Sequence, residues 1–243
     1  MHYNILLMAG EGQRFKKAGF ETPKALLPFN KKFMFQAAME KFPKCDKWIF
    51  AVSKEIYENN SFKNFLNNFN EDHEVVTFTD TTNGQASTCM YCLNLLSDED
   101  SFFVGACDAI LSSEISLDKF FDSDTVLLVS EPTDLQIKNS LNFGWVSHQE
   151  SNIKIYCKEE PSEGFYESEL ILGFFYFSAK REFIIAYEEM IKKDMYVNNE
   201  LYIDVLVKNQ INKNLKINTL KTQATVLGTP KEYNQILKKN EKS

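Results

Sequence analysis

The chain has 243 residues, a net charge of −7, 44% hydrophobic and 25% charged residues. That length accommodates one large α/β domain with a well-filled core or two small ones, and no Pro/Gly/Ser-rich linker divides it, so one domain spanning 1–243 is expected. The apolar content argues against a disordered chain, and the acidic balance argues against nucleic acid as a partner while leaving room for a local cationic site.

The elements follow from apolar periodicity. Tyr3 to Met8 is a continuous apolar run and predicts a buried strand. Helical spacing predicts a helix over Phe33 to Phe42, then a strand from Trp48 to Ser53 and a helix from Ile56 to Phe69. A strand from Glu74 to Thr79 leads to the turn Asp80-Thr81-Thr82-Asn83-Gly84 and a helix from Gln85 to Leu96. Ser101 to Ala106 is a strongly apolar strand ending at Cys107-Asp108. This alternation predicts a parallel, Rossmann-like sheet over 1–110, with ligands beyond the carboxyl ends of its strands. The second half, 111–243, changes character. Thr125 to Ser130, Phe143 to Ser147, Asn152 to Cys157 and Leu170 to Phe177 read as strands. Helices are expected over Ala179 to Lys193 and Asn199 to Lys208, short strands over Leu215 to Thr219 and Ala224 to Leu227, and a closing helix over Pro230 to Leu237. Asn240 to Ser243 reads as a frayed tail.

No apolar run reaches the roughly 18 residues of a membrane span, and the N-terminus enters the first strand without a leader. No membrane partner and a cytoplasmic location are expected. The five cysteines, an odd number, suit reduced thiols. Cys89 and Cys92 stand at i, i+3 inside a helical pattern without a second pair, so they read as core thiols rather than a metal or redox motif.

The informative stretch is Leu6-Leu7-Met8-Ala9-Gly10-Glu11-Gly12-Gln13-Arg14-Phe15, followed by Thr22-Pro23-Lys24. Glycines after a strand let backbone N–H groups approach an anion, and Arg14 and Lys24 can neutralise phosphate charge. The spacing is neither that of a P-loop nor that of G-x-G-x-x-G, since Phe15 stands where the third glycine would be. Asp108 ends an apolar strand, where a carboxylate is costly unless it meets a cation, and Mg²⁺ takes one or two carboxylates together with phosphates and water. Asp204 is a second acid in an apolar segment, with Glu200 as a fallback. Gly84 and Gln85 open a helix whose free N–H groups and side-chain amide suit a nucleobase edge.

The loop with its downstream Pro-Lys resembles the signature of the nucleotidyltransferases that make sugar nucleotides and related activated phosphates. The closing Leu227-Gly228-Thr229-Pro230 is also similar to the family's C-terminal pattern, so the resemblance spans nearly the whole chain. It implies a Rossmann-like, glycosyltransferase-A-like mixed α/β sheet flanked by helices, with a nucleotide-binding half (1–110) and an acceptor-binding half (111–243). It further implies that Met8, Ala9, Gly10, Glu11, Gly12, Gly84 and Gln85 bind a nucleoside triphosphate and that Asp108 and Asp204 jointly hold Mg²⁺. By motif position, Arg14 would neutralise the leaving pyrophosphate, and Lys24 and Lys158 would hold the α- and acceptor phosphates. Lys158 lies in a segment similar to the family's Glu-Lys-Pro, departing from it in having Cys157 before the lysine. Trp145, Glu169 and Gly173 fall where the family shapes its acceptor pocket.

The compact chain is similar to cytidylyltransferase-type members, which favours CTP, with phosphocholine or phosphoglutamine as acceptor in capsule or surface-polysaccharide synthesis. A sugar-1-phosphate uridylyl- or thymidylyltransferase is the alternative. A glycosyltransferase would need an Asp-x-Asp motif, which Asp108-Ala109-Ile110 lacks, and a non-catalytic relative would be expected to have lost its charged site residues. The residues do not fix the base, and the oligomeric state stays open, a homo-oligomer included.

Overall fold

The structure is a computed structural model that describes residues 1–120, 122–149, 152–211, 213 and 215–240; of the tail expected over Asn240 to Ser243, Asn240 instead ends the closing helix and 241–243 lie outside the described residues. In chain order the elements are β1 (His2–Met8), α1 (Gln13–Lys17), β2 (Pro28–Phe29), β3 (Lys32–Phe33), α2 (Met34–Met39), β4 (Lys47–Ser53), α3 (Lys54–Glu58), α4 (Asn60–Asn68), β5 (His73–Phe78), α5 (Gln85–Cys92), β6 (Ser101–Ala106), β7 (Ala109–Leu111), β8 (Thr125–Ser130), α6 (Asp134–Lys138), β9 (Gly144–Gln149), β10 (Asn152–Cys157), β11 (Ser168–Phe177), α7 (Lys180–Lys192), α8 (Ile203–Ile211), β12 (Ile217–Lys221), β13 (Ala224–Val226) and α9 (Pro230–Asn240).

The main sheet has nine strands and runs β10-β9-β11-β6-β1-β4-β5, with β8 beside β11 and β12 beside β8. β5, β4, β1 and β6 are mutually parallel, as the strand–helix alternation predicts. β11 joins them antiparallel, pairing β6 through Phe174 to Phe177 and β9 through Ser168 to Ile171. Ten residues long, it ties the two halves into one mixed sheet. Between Ile171 and Phe175 its register with β8 shifts, at Gly173, whose φ of 79° a side chain rarely adopts.

Both faces of the central strands are covered, which is why β1 reads as an unbroken apolar run. Tyr3 and Ile5 belong to one buried layer with Cys89, Phe102, Phe183 and Leu206. Leu6 and Met8 belong to the other, with Phe35, Phe50, Phe103 and Trp145. Cys89 and Cys92 are fully buried, and burial pushes the Cys92 thiol up to about 12, so these are core thiols. A third, smaller cluster joins Phe15, Leu27, Phe29 and Met34 to Leu227 and Tyr233.

Two expectations shift. The helix expected over Ile56 to Phe69 is two helices, because Asn59 is extended and its Oδ1 accepts from Ser61 N, capping α4. The helix expected from Asn199 begins at Ile203, since Asn198 and Asn199 have φ of 50° and 63°.

Candidate active site

The carboxyl ends of β1 and β6 open into a cleft of about 480 Å³. Its wall includes Met8, Ala9, Gly10, Glu11, Gly12 and Arg14, then Lys24, Gly84, Gln85, Asp108, Lys158, Gly173 and Asp204. Thirteen of the fifteen residues singled out in the sequence thus meet in one place, although they are spread over nearly two hundred positions.

Gly12 makes the loop turn. Its φ is 63°, its carbonyl accepts from Phe15 N and Lys16 N to start α1, and a Cβ there would stand 3.5 Å from Lys24 Cβ. Gly10 differs, as a Cβ on it would meet nothing within 4 Å. The Glu11 carboxylate accepts from Gln13 Nε2 and from Thr81 Oγ1, tying the loop to the turn before α5; these bonds hold it below the usual carboxylate range.

At the end of β6, Lys24 Nζ donates to Asp108 Oδ2 at 2.5 Å, with about a fifth of each side chain exposed. Burial alone would raise the Asp108 carboxyl, but the Lys24 charge and hydrogen bond more than offset it, and its pKa stands below the ordinary value. The same pair holds Lys24 above its ordinary value against the opposing effect of burial. Both are charged at neutral pH.

Asp204 sits in the first turn of α8, 7% exposed. Burial raises its carboxyl, and the Lys158 charge only partly offsets this. Among the described residues no cation pairs directly with it. Lys158 acts electrostatically on both Asp108 and Asp204. Its φ is 57°, its Nζ lies 5.0 Å from the Tyr202 ring centroid and donates to Asn142 O. The donor set suits Mg²⁺: two hard, largely desolvated carboxylate oxygens face one cleft, one of them lacking a direct cationic partner, with space for phosphate and water to complete the shell.

Gly84 and Gln85 form the other rim. The segment before α8 docks onto this turn, with Ala86 N donating to Leu201 O at 2.9 Å and Leu201 N to Asn83 O at 2.7 Å. A Cβ on Gly84 would stand 2.6 Å from Leu201 O, and its φ of 105° likewise favours glycine. Glu200, the fallback acid, also lines the cleft.

Two expected acceptor residues are not brought to the cleft. Trp145 is fully buried, with its Nε1 donating to Ser140 O at 3.1 Å and its ring 4.9 Å from that of Phe165. Side chains alternate along β9, and Gly144 takes the cleft side, so Trp145 points into the core. Glu169 pairs instead with His148 at 2.9 Å and with Lys221 at 3.6 Å. The sequence reading also missed residues in the wall. Asn142, Tyr202, Thr82, Thr88 and Glu232 lie there. Glu232 was accessible to sequence reasoning, because Thr229-Pro230-Lys231-Glu232 is a capping box whose Glu232 Oε2 accepts from Thr229 N at 2.9 Å.

An α/β sheet whose strand ends open into a cleft lined by a glycine loop, the carboxylates of Asp108 and Asp204 and three cations is the architecture in which nucleotides are commonly bound. The chain matches the family of MobA-like NTP transferase domains over residues 4–130, more than half its length, and it belongs to that family as a nucleotidyltransferase. Its fold is that of solved nucleotidyltransferases. The nucleoside-diphosphate-sugar pyrophosphorylase from Vibrio cholerae RC9 is 21% identical with a TM-score of 0.77, the match covering 97% of this chain and 99% of that one. The inositol-1-phosphate CTP transferase from T. maritima is 17% identical with a TM-score of 0.73, covering 98% and 93%. A UDP-glucose pyrophosphorylase complexed with UDP-glucose is 17% identical with a TM-score of 0.70, covering 98% and 99%. No curated protein matches the sequence.

Proposed function

We propose that the protein is a Mg²⁺-dependent cytidylyltransferase that moves CMP from CTP onto a phosphorylated small-molecule acceptor and releases pyrophosphate. The observation that carries the reaction class is the joint placement of Lys24, Asp108, Lys158 and Asp204 beyond the strand ends, facing the glycine loop with Arg14. The acceptor phosphate oxygen attacks the α-phosphorus, the bond to the β-phosphate oxygen breaks, and pyrophosphate leaves with that electron pair. The attacking phosphate is already anionic near neutral pH, so the site needs alignment and charge neutralisation more than a general base.

In this reading the backbone of Gly10, Glu11 and Gly12 seats the triphosphate, and Arg14 neutralises the leaving pyrophosphate. Lys24 reaches the α-phosphate from its pairing with Asp108, while Lys158, held against Asn142 and Tyr202, meets the acceptor phosphate. Asp108 and Asp204 hold Mg²⁺, which when bound neutralises phosphoryl charge. Gln85 reads the base and Gly173 leaves room at the acceptor side. The fold shared with the T. maritima CTP transferase supports CTP as the nucleotide in this reading, and phosphoglutamine or phosphocholine, for capsule or surface polysaccharide, is the preferred acceptor.

Pyrophosphate release with Mg²⁺ tests this across CTP, UTP, dTTP, ATP and GTP, crossed with phosphocholine, phosphoglutamine, inositol 1-phosphate and sugar 1-phosphates. Release with CTP that depends on phosphoglutamine or phosphocholine supports the full reading. Release with UTP or dTTP and a sugar 1-phosphate keeps the class and overturns the substrate assignment. Silence in every combination overturns the class.

A further inference from the structure

The cleft holds a residue that contacts both walls. Asn142 ends a 3₁₀ turn, Ser140–Asn142, between α6 and β9. The turn is fixed from below: Trp145 Nε1 donates to Ser140 O, Ser140 Oγ donates to Glu160 Oε1 at 2.9 Å, and Lys158 N donates to Phe143 O at 3.1 Å. From this base Asn142 faces two cations that arrive from different parts of the chain. Its side-chain Oδ1 accepts from Arg14 Nη2 at 3.1 Å, across 128 positions of sequence. Its backbone carbonyl accepts from Lys158 Nζ.

Two like charges converging on one cleft repel, and each long side chain loses rotamer freedom when it is held there. Arg14 is exposed, and the Glu232 carboxylate attracts it only through space, so neither packing nor that charge fixes the direction of the guanidinium. Its hydrogen bond to Asn142 does, and it turns the fork toward the wall opposite the glycine loop. We propose that Asn142 is a positioning residue that pre-orients Arg14 for the β- and γ-phosphates, joining the triphosphate loop to the acceptor wall before substrate arrives. This rests on the nucleotidyltransferase reading of the cleft. The two contacts are separable by mutation, because a substitution at 142 removes the side-chain oxygen and leaves the carbonyl that holds Lys158.

The test is calorimetric binding of inorganic pyrophosphate and of CTP to the full chain, with acceptor KM and thermal melting measured alongside. Asn142→Ala is expected to weaken pyrophosphate and CTP binding about fivefold to tenfold, the scale of a partly exposed hydrogen bond to a charged group. Acceptor KM and the melting temperature are expected to stay at wild-type values, a split that general loosening of the cleft would not produce. In an Arg14→Ala background the same substitution is expected to have no further effect on pyrophosphate binding. Asn142→Asp preserves the shape and serves as the second variant; its carboxylate opposes the anion, and pyrophosphate is expected to bind at least tenfold more weakly. Unchanged pyrophosphate and CTP affinity in both single variants overturns the proposal, as does an undiminished effect of Asn142→Ala without Arg14. Failure of the wild-type chain to bind pyrophosphate or any nucleoside triphosphate would instead overturn the reading of the cleft itself.

Discussion

The carboxylate of Asp204 lies directly over Gly144, so closely that a Cβ at position 144 would collide with Oδ2. The glycine at the start of β9 therefore clears the space in which the buried acid of α8 reaches the cleft. Gly144→Ala should displace that acid and lower kcat/KM by about 100-fold, the scale of an ångström-sized misplacement at a reacting centre. Steady-state kinetics beside a circular-dichroism melt check this, and turnover within twofold of wild type would show that Asp204 has room to spare.

Lys24 and Asp108 form a coupled pair, so single and double substitutions should not add. Lys24→Ala strands a largely desolvated carboxylate and should cost about 2 kcal/mol of stability at neutral pH. Adding Asp108→Asn should recover part of that loss. Urea unfolding of the four species gives the coupling energy directly.

His2 sets an acid limit on stability. Burial lowers its imidazole from 6.5 to about 4, and its Nε2 is buried without a hydrogen-bond partner among the described residues. Between those two values the unfolded chain binds the proton that the folded chain refuses, so stability falls as pH drops. The contribution is intact above about pH 6.5 and fully lost near pH 4, a span of about 3 kcal/mol. Comparing wild type with His2→Gln by urea unfolding from pH 7.5 to 4 isolates it, since the acid lability due to carboxylates is common to both. The gap between the two proteins should widen toward pH 4 in favour of the variant.

Chelation should separate binding from chemistry. If Asp108 and Asp204 hold the divalent ion, EDTA abolishes pyrophosphate release, and Mg²⁺ with CTP raises the melting temperature more than the two separate increments combined. Asp204→Asn should remove that excess while leaving the CTP increment. Simple additivity in the wild type would count against a metal shared between protein and nucleotide.

Much of this was legible from residues because the signals were local. Gly10 to Lys24 is one contiguous string, and Asp108 announces itself as an acid closing an apolar strand. Parallel order followed from strand–helix alternation. What stayed hidden depends on facing. Trp145 and Gly144 are neighbours in sequence, yet the pleat sends one into the core and the other under Asp204, and an aromatic beside a glycine does not say which goes where. Glu169 sits in the same strand as Gly173, but its partners, His148 and Lys221, come from β9 and β12. Asn142 looked like any polar turn residue, because the guanidinium it meets is 128 positions away.

The third apolar cluster closes the glycine loop from the far end of the fold. β13 pairs with β7, Leu227 N donates to Asp108 O at 2.7 Å, and Tyr233 packs on Phe15 while its hydroxyl donates to Pro28 O. The glycine loop and the residues that seat it, Leu227 and Tyr233, thus lie more than two hundred positions apart. Closing that cluster costs the entropy of a loop that spans both halves of the sheet, so the shape of the glycine loop is a property of the whole fold and not of its local sequence.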